Sequence, residues 1–190
     1  MNKSRLESFS DCVISVIITV MVLNLQVPQG ADWNALGPVW PVFGTYVVSF
    51  IFLGIYWSNH HHMLHTMTRV NGKILWANLH LLFWLSLIPF ITGWVGQSHF
   101  VPVPLAVYGV DLLMAALAYT LLENLIIRDQ GKDSKLAAAV GNNTKGKLSI
   151  AFYVIAIPLA FVNVWTSCGL FILVACMWLV PDKRIEKRFN

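Results

Sequence analysis

The chain has 190 residues, 57% of them hydrophobic, 13% aromatic and only 12% charged, with a formal net charge of +4 at neutral pH. A soluble domain carries about a quarter of its residues as Asp, Glu, Lys or Arg, and a globule of this length has no interior large enough to hide so much apolar surface. The composition excludes an ordinary water-soluble domain and makes lipid the solvent.

Six stretches approach the roughly 20 helical residues that cross a hydrocarbon core: 6–27, 38–60, 73–95, 101–127, 147–164 and 166–181. The expected fold is all-α, a polytopic membrane protein with six transmembrane helices and a single domain over residues 1–190. The first run already holds Asp11 and is followed by no small-residue cleavage site, so it reads as a retained helix rather than a signal peptide.

On a helical net of this first segment, Cys12, Ser15, Thr19 and Gln26 lie close together, while Leu6, Val13, Ile17 and Leu25 lie elsewhere. Such a mildly polar stripe turns from lipid toward protein or a water-filled path. Beside it runs an apolar stripe of Val16, Val20, Leu23 and Val27. If several copies of the helix met around an axis, these side chains would stack into constrictions that gate by dewetting. Packing of both stripes against the other five helices is the alternative that periodicity leaves open. Asp11 needs a partner at the membrane interface, and Arg5, six residues earlier, is not at helical i,i+4 spacing. Another helix, Ser8 or Ser10, or Arg5 through a bent terminus would serve, as part of a structural network or of an ion route.

The second segment ends in Trp57-Ser58-Asn59-His60-His61-His62, with His65 one turn further. His61 and His65 have the spacing of a metal-binding pair, but no nearby Cys or carboxylate completes a set, so no metal site is expected. His60 is the best candidate for a buried, hydrogen-bonded imidazole, and whether His60, His61, His62 and His65 sense pH or metal stays open. The third segment carries Pro89 and Gly93, which membrane helices tolerate when neighbours satisfy the freed carbonyls. Its Thr92-Gly93-Trp94-Val95-Gly96 stretch lacks the adjacent pore helix of a carbonyl-lined filter and falls at a helix end. His80, Asp111 and Glu123 are ionisable groups within the third and fourth segments, either functional or interhelical glue.

Residues 129–146 read as a polar linker, with a short surface helix over Leu136 to Val140. Asn163, Thr166 and Ser167 mark a turn between the two short final runs, the fifth of which contains Pro158. Cys12, Cys168 and Cys176 all fall in apolar runs and read as buried thiols. Trp33, Trp40, Trp94 and Trp165 suit an outer aromatic belt, and Tyr56, Trp57 and Trp178 an inner one.

Charge tests the count of passes. The thirteen Lys and Arg residues precede the first segment, fall between the second and third and between the fourth and fifth, or follow the last. Six passes put all of them on one face, the positive-inside pattern of a cell-membrane protein with both termini cytoplasmic. The excess charge is then topology and attraction to anionic lipid rather than a nucleic-acid signature. No H-E-x-x-H, G-x-S-x-G or nucleotide loop occurs, so no enzyme and no cofactor are expected.

Two motifs carry a resemblance. Arg5-x-x-x-Phe9-Ser10-Asp11, continuing through Ser15-Val16-Ile17-Ile18-Thr19-Val20-Met21-Val22-Leu23, and Trp57-x-Asn59-His60 at the end of the second segment resemble the lysosomal/endosomal potassium channel family and its prokaryotic homologues. The resemblance runs the full length of the chain. It implies a homotetramer whose central pore is lined by the first helix, without a re-entrant filter loop. Val16, Val20 and Leu23 would constrict the path, with Thr19 as a neighbouring hydroxyl. Arg5, Phe9, Ser10 and Asp11 would form a network with Trp57, Asn59 and His60 rather than coordinate potassium. The sequence departs from the family in its valines at 16 and 20, where Ile or Leu is common, which implies a wider or less discriminating neck; Asn24 would supply a polar outer rim. The expected function is passive conduction of partly hydrated potassium or other monovalent cations, with lipid and further copies of the chain as partners. The alternatives are an ion-coupled transporter using Asp111 and His80, or a non-conducting structural membrane protein.

Overall fold

The computed structural model describes residues 2–131 and 133–179, and all regular structure among them is helical. Helix α1 spans Lys3–Met21 and starts where the Asn2 side chain accepts a hydrogen bond from the Ser4 amide. It tightens into a 3-10 turn, Val22–Asn24, after which Leu25 takes an extended conformation. A 3-10 stretch, Trp33–Val39, leads into α2, Trp40–Thr66, with Pro41 in the first turn, where a missing amide hydrogen costs nothing. Helix α3 covers Gly72–Gln97 and is capped by Asn71; α4 covers Pro102–Gln130, begins on a proline and stops at Gly131, whose φ is +94°. The short α5, Lys135–Val140, lies where the alanine-rich patch predicts it. Helices α6, Thr144–Leu159, and α7, Val164–Leu179, complete the described chain.

By length and hydropathy α1 to α4 are each able to cross a membrane, whereas α6 and α7 are apolar but only 16 residues long. The turn between these two falls at residues 160–163, earlier than the sequence suggests, because the Asn163 side-chain oxygen Oδ1 accepts from the Trp165 and Thr166 amides and so opens α7. The two helices pair antiparallel: Ser167 donates to the Ala156 carbonyl at 2.8 Å, and Trp178 donates to Ser149 at 2.8 Å near the other end. Helix α2 runs well past the expected limit at residue 60, so the histidine cluster lies within the last two turns of the helix rather than beyond it.

Helix α3 is the centre of the bundle, packed against α1, α2 and α4, while α4 in turn carries α6. One apolar cluster joins Leu6, Ile14 and Met21 of α1 to Leu53, Leu81, Leu85 and Leu122. A second unites Phe52, Leu112, Tyr153, Phe171 and Val174. Gly96 lets α2 approach α3, since a Cβ there would meet the Val42 Cα at 2.6 Å.

The basic residues cluster at one end. Lys3 donates to the His65 carbonyl at 2.7 Å, bringing the start of α1 to the end of α2. Arg69 bonds Asp129 at 3.0 Å, and Asn71 donates to the same carboxylate, bringing the α2–α3 connection to the end of α4. Lys145, at the start of α6, lies over the Trp178 ring near the end of α7. Lys132 and the C-terminal group of Lys183, Arg184, Lys187 and Arg188 lie outside the described residues, as does the end of the sixth predicted segment.

Candidate functional site

Helix α1 has two faces. Leu6, Ser10, Ile14, Ile17 and Met21, spaced by three or four residues, are buried against α2 and α3. On the far side Val16 is 54% exposed, Val20 43% and Leu23 77%, and Cys12, Ser15 and Thr19 are exposed beside them. The Thr19 hydroxyl donates to the Ser15 carbonyl at 2.8 Å, which spends its hydrogen within the helix and leaves its lone pairs outward. Within one chain, then, neither stripe packs against the other helices. Gln26 and Val27 drop out of their predicted stripes because the helical net ends at Asn24 and the chain extends from Leu25.

What holds this face in place is a buried polar hub. Ser10 donates to the Leu6 carbonyl at 2.9 Å and accepts from the Asn78 amide at 2.9 Å; the Asn78 carbonyl oxygen meets His60 Nε2 at 2.7 Å. Three helices, α1, α3 and α2, are thereby joined through side chains that are each no more than 1% exposed. A second tie runs at the rim, where Trp57 Nε1 donates to Asp11 at 3.0 Å. Asp11 therefore finds its partner on another helix, as one of the open readings had it. Asn78 is the member that the motifs miss.

The remaining motif residues lie apart from the hub. Asn59 turns away from α1, donating to the Ile55 carbonyl at 2.8 Å, while its own carbonyl accepts from Tyr119. Successive side chains on a helix point about 100° apart, which separates it from neighbouring His60. Arg5 and Phe9 are exposed on the outward side of α1, and among the described residues Arg5 has no ion pair. Asn24 does not form an outer rim but donates to the Pro89 carbonyl at 2.7 Å, lying against Gly93, where a Cβ would come within 3.0 Å of its side chain. This bond anchors the C-terminal end of α1 on α3.

The other ionisable candidates are scattered. Asp111 is 2% exposed and neither carboxylate oxygen has a hydrogen-bond partner among the described residues. His80 is exposed and accepts from Trp84 at 3.0 Å. Each lies between about two and two and a half turns into its helix, and α3 and α4 run antiparallel, so the two occupy opposite halves of the bundle. Glu123 accepts from Asn143, the residue that caps α6. Thr92 donates to Ser49, which shares a hydrogen bond with Tyr108, and Thr92 to Gly96 all lie inside α3. His61 packs on Trp57 and on His65, and no three metal-ligating side chains gather among the described residues. The three cysteines are free thiols, and Cys12 and Cys176 are exposed rather than buried, because they sit on outward faces of α1 and α7.

The motif-bearing half of the chain, residues 5–89, matches the model of a family described as endosomal/lysosomal potassium channel TMEM175. A potassium channel of Chryseobacterium sp. (strain P1-3) is 55% identical over 98% of this chain and 97% of its own length. The chain belongs to the TMEM175 family. A Streptomyces collinus protein named as a potassium channel is 33% identical over 86% of this chain and 85% of its own. The crystal structure of a lysosomal potassium-selective channel TMEM175 homologue from Chamaesiphon minutus superposes with a TM-score of 0.79 at 24% identity, covering 94% of this chain and 96% of that one, which shows the fold. As a TMEM175 family member the chain is an all-α membrane protein, and its hub of Ser10, Asn78 and His60 lies within the span matched by the family model.

Proposed function

We propose that the chain is a potassium-permeable cation channel that conducts partly hydrated ions passively through a homotetrameric pore with a hydrophobic neck on α1. The observation that carries this reading is the outward stripe of Val16, Val20 and Leu23, flanked by Thr19, on a helix whose other side is buried. The names of the relatives as potassium channels point the same way.

Four such helices around an axis stack their valines and leucines into rings. A narrow ring of aliphatic side chains excludes water unless it widens, so it controls flux without coordinating the ion. Thr19, one turn before Leu23, offers hydroxyl lone pairs to the hydration shell. No step needs a cofactor; potassium is the cargo. Ser10, Asn78 and His60 hold the rotation of α1, and Asp11 with Trp57 holds its inner end, so these residues position the pore without touching the ion. The positive-inside rule supports a cytoplasmic basic end, and with it a cell-membrane protein whose two termini are cytoplasmic.

The test is potassium-driven flux through purified protein in liposomes, wild type against Leu23→Asn, with potassium and sodium compared at the same voltage. A polar ring in place of an aliphatic one keeps the neck wet, and flux is expected to rise several-fold in the variant and to need no counter-ion. Absence of flux from both proteins, in vesicles that contain the folded oligomer, overturns the reading.

A further inference from the structure

Away from the outward face of α1, an open groove of about 440 Å³ runs between the first turns of α3 and the last turns of α4, lined by Lys73, Trp76, Ala77 and His80 and by Leu121 and Leu125. Its floor is apolar, Trp76 stands 73% exposed at its edge, and Lys73 sits at the basic end. Arg128 follows Leu125 by three residues and so continues the same face of α4 to that mouth. Both cations are exposed, and neither has an ion pair among the described residues. Asp129, next to Arg128 in sequence, is already bonded to Arg69 and Asn71. Deeper in the groove His80 takes the Trp84 N–H on Nε2, which leaves Nδ1 of the neutral ring as a donor.

We propose that this groove is a binding site for an anionic phospholipid: its phosphate on Lys73 and Arg128, His80 within reach of the glycerol esters, and one acyl chain lying over Ala77, Leu121 and Leu125. Charge decides the occupant. A purely apolar partner leaves two cations uncompensated at the mouth, and an ordinary protein surface does not match an aliphatic trough that opens sideways from a membrane helix pair. An anionic head with an apolar tail satisfies both ends, and the Trp76 indole, apolar with one polar edge, suits the level at which head and tail meet. The site makes no use of α1 and is independent of the conduction reading.

The experiment measures lipid bound to the purified full-length oligomer by native mass spectrometry, titrating phosphatidylglycerol and phosphatidylcholine separately. For Lys73→Gln/Arg128→Gln, phosphatidylglycerol is expected to bind about 30-fold more weakly at one site per protomer, as the loss of two basic contacts implies, with phosphatidylcholine unchanged. Leu121→Trp, which fills the trough and keeps both charges, is expected to lower occupancy of the same site. Equal phosphatidylglycerol binding by wild type and the charge variant overturns the proposal. So does efficient disulfide cross-linking of Leu121→Cys between protomers, which would make the groove an interface between copies.

Discussion

Asn78 shows how a single side chain sets the geometry of a neighbouring helix. It gives its N–H to Ser10 and its carbonyl oxygen meets His60, all in the dry interior where water cannot replace a lost partner. Asn78→Leu strands both partners and is expected to lower stability by roughly 2 to 4 kcal/mol, since each orphaned buried polar group costs about 1 to 3 kcal/mol; thermal unfolding in detergent reads it. Asp11→Asn retains an oxygen for the Trp57 indole, whereas Trp57→Phe removes the donor. The first is expected to leave unfolding within about 0.5 kcal/mol of wild type, and the second to cost about 1 kcal/mol. The reverse order would show that Asp11 works through charge rather than as an acceptor. At this scale the sequence was half legible. Ser10, Asp11, Trp57 and His60 stand in motifs, but Asn78 is one amide in an apolar run, recognisable only by the rule that a polar residue in a membrane helix seeks a partner. Asn59 stands in a motif as well, yet the helical rotation carries it to another face.

Among the elements, α1 is where periodicity speaks most clearly. Its buried and exposed faces follow from the three-and-four spacing of Leu6, Ser10, Ile14, Ile17 and Met21, and the stripe of Val16, Val20 and Leu23 is the complement. What periodicity cannot give is the depth at which a helix meets its neighbour, because that depends on backbone approach. Gly96 is such a place: Gly96→Ala puts a Cβ 2.6 Å from the Val42 Cα and 2.7 Å from the Thr45 hydroxyl. Backbone cannot retreat as a flexible side chain can, so α2 and α3 must separate, at an expected cost of about 1 to 3 kcal/mol. Gly54, with nothing within 4 Å of its would-be Cβ, is the control, and Gly54→Ala is expected to be neutral or slightly stabilising through helix propensity. Paired melting curves of the two variants distinguish a packing role from a general intolerance of α2 and α3 to substitution. The boundaries of α6 and α7 were less legible for a different reason: Asn163 reads equally well as a loop residue or a cap, and the cap wins.

For the molecule as a whole, the pattern of basic connections agrees with one feature of the fold: the start of α1, the α2–α3 connection and the end of α4, all of which carry Lys or Arg, come together at one end of the bundle. If the outward face of α1 is where copies meet, Leu23→Cys is expected to yield disulfide-linked dimers from an oligomer on mild oxidation, in a background with the three native thiols replaced; an exclusively monomeric band would remove the shared axis. Helix α1 is moreover fastened along its full height: Lys3 to the end of α2, Ser10 to Asn78, and Asn24 to the Pro89 carbonyl. A helix secured at bottom, middle and top cannot twist or slide by itself without breaking one of these bonds. In the pore proposed above, widening the neck would then fall to side-chain rotamers or to tilting of each protomer as a block, and only the latter would change the area that the assembly occupies in the bilayer. Graded suction on a membrane patch separates the two, since an opening that expands in the plane responds to lateral tension and a rotamer change does not.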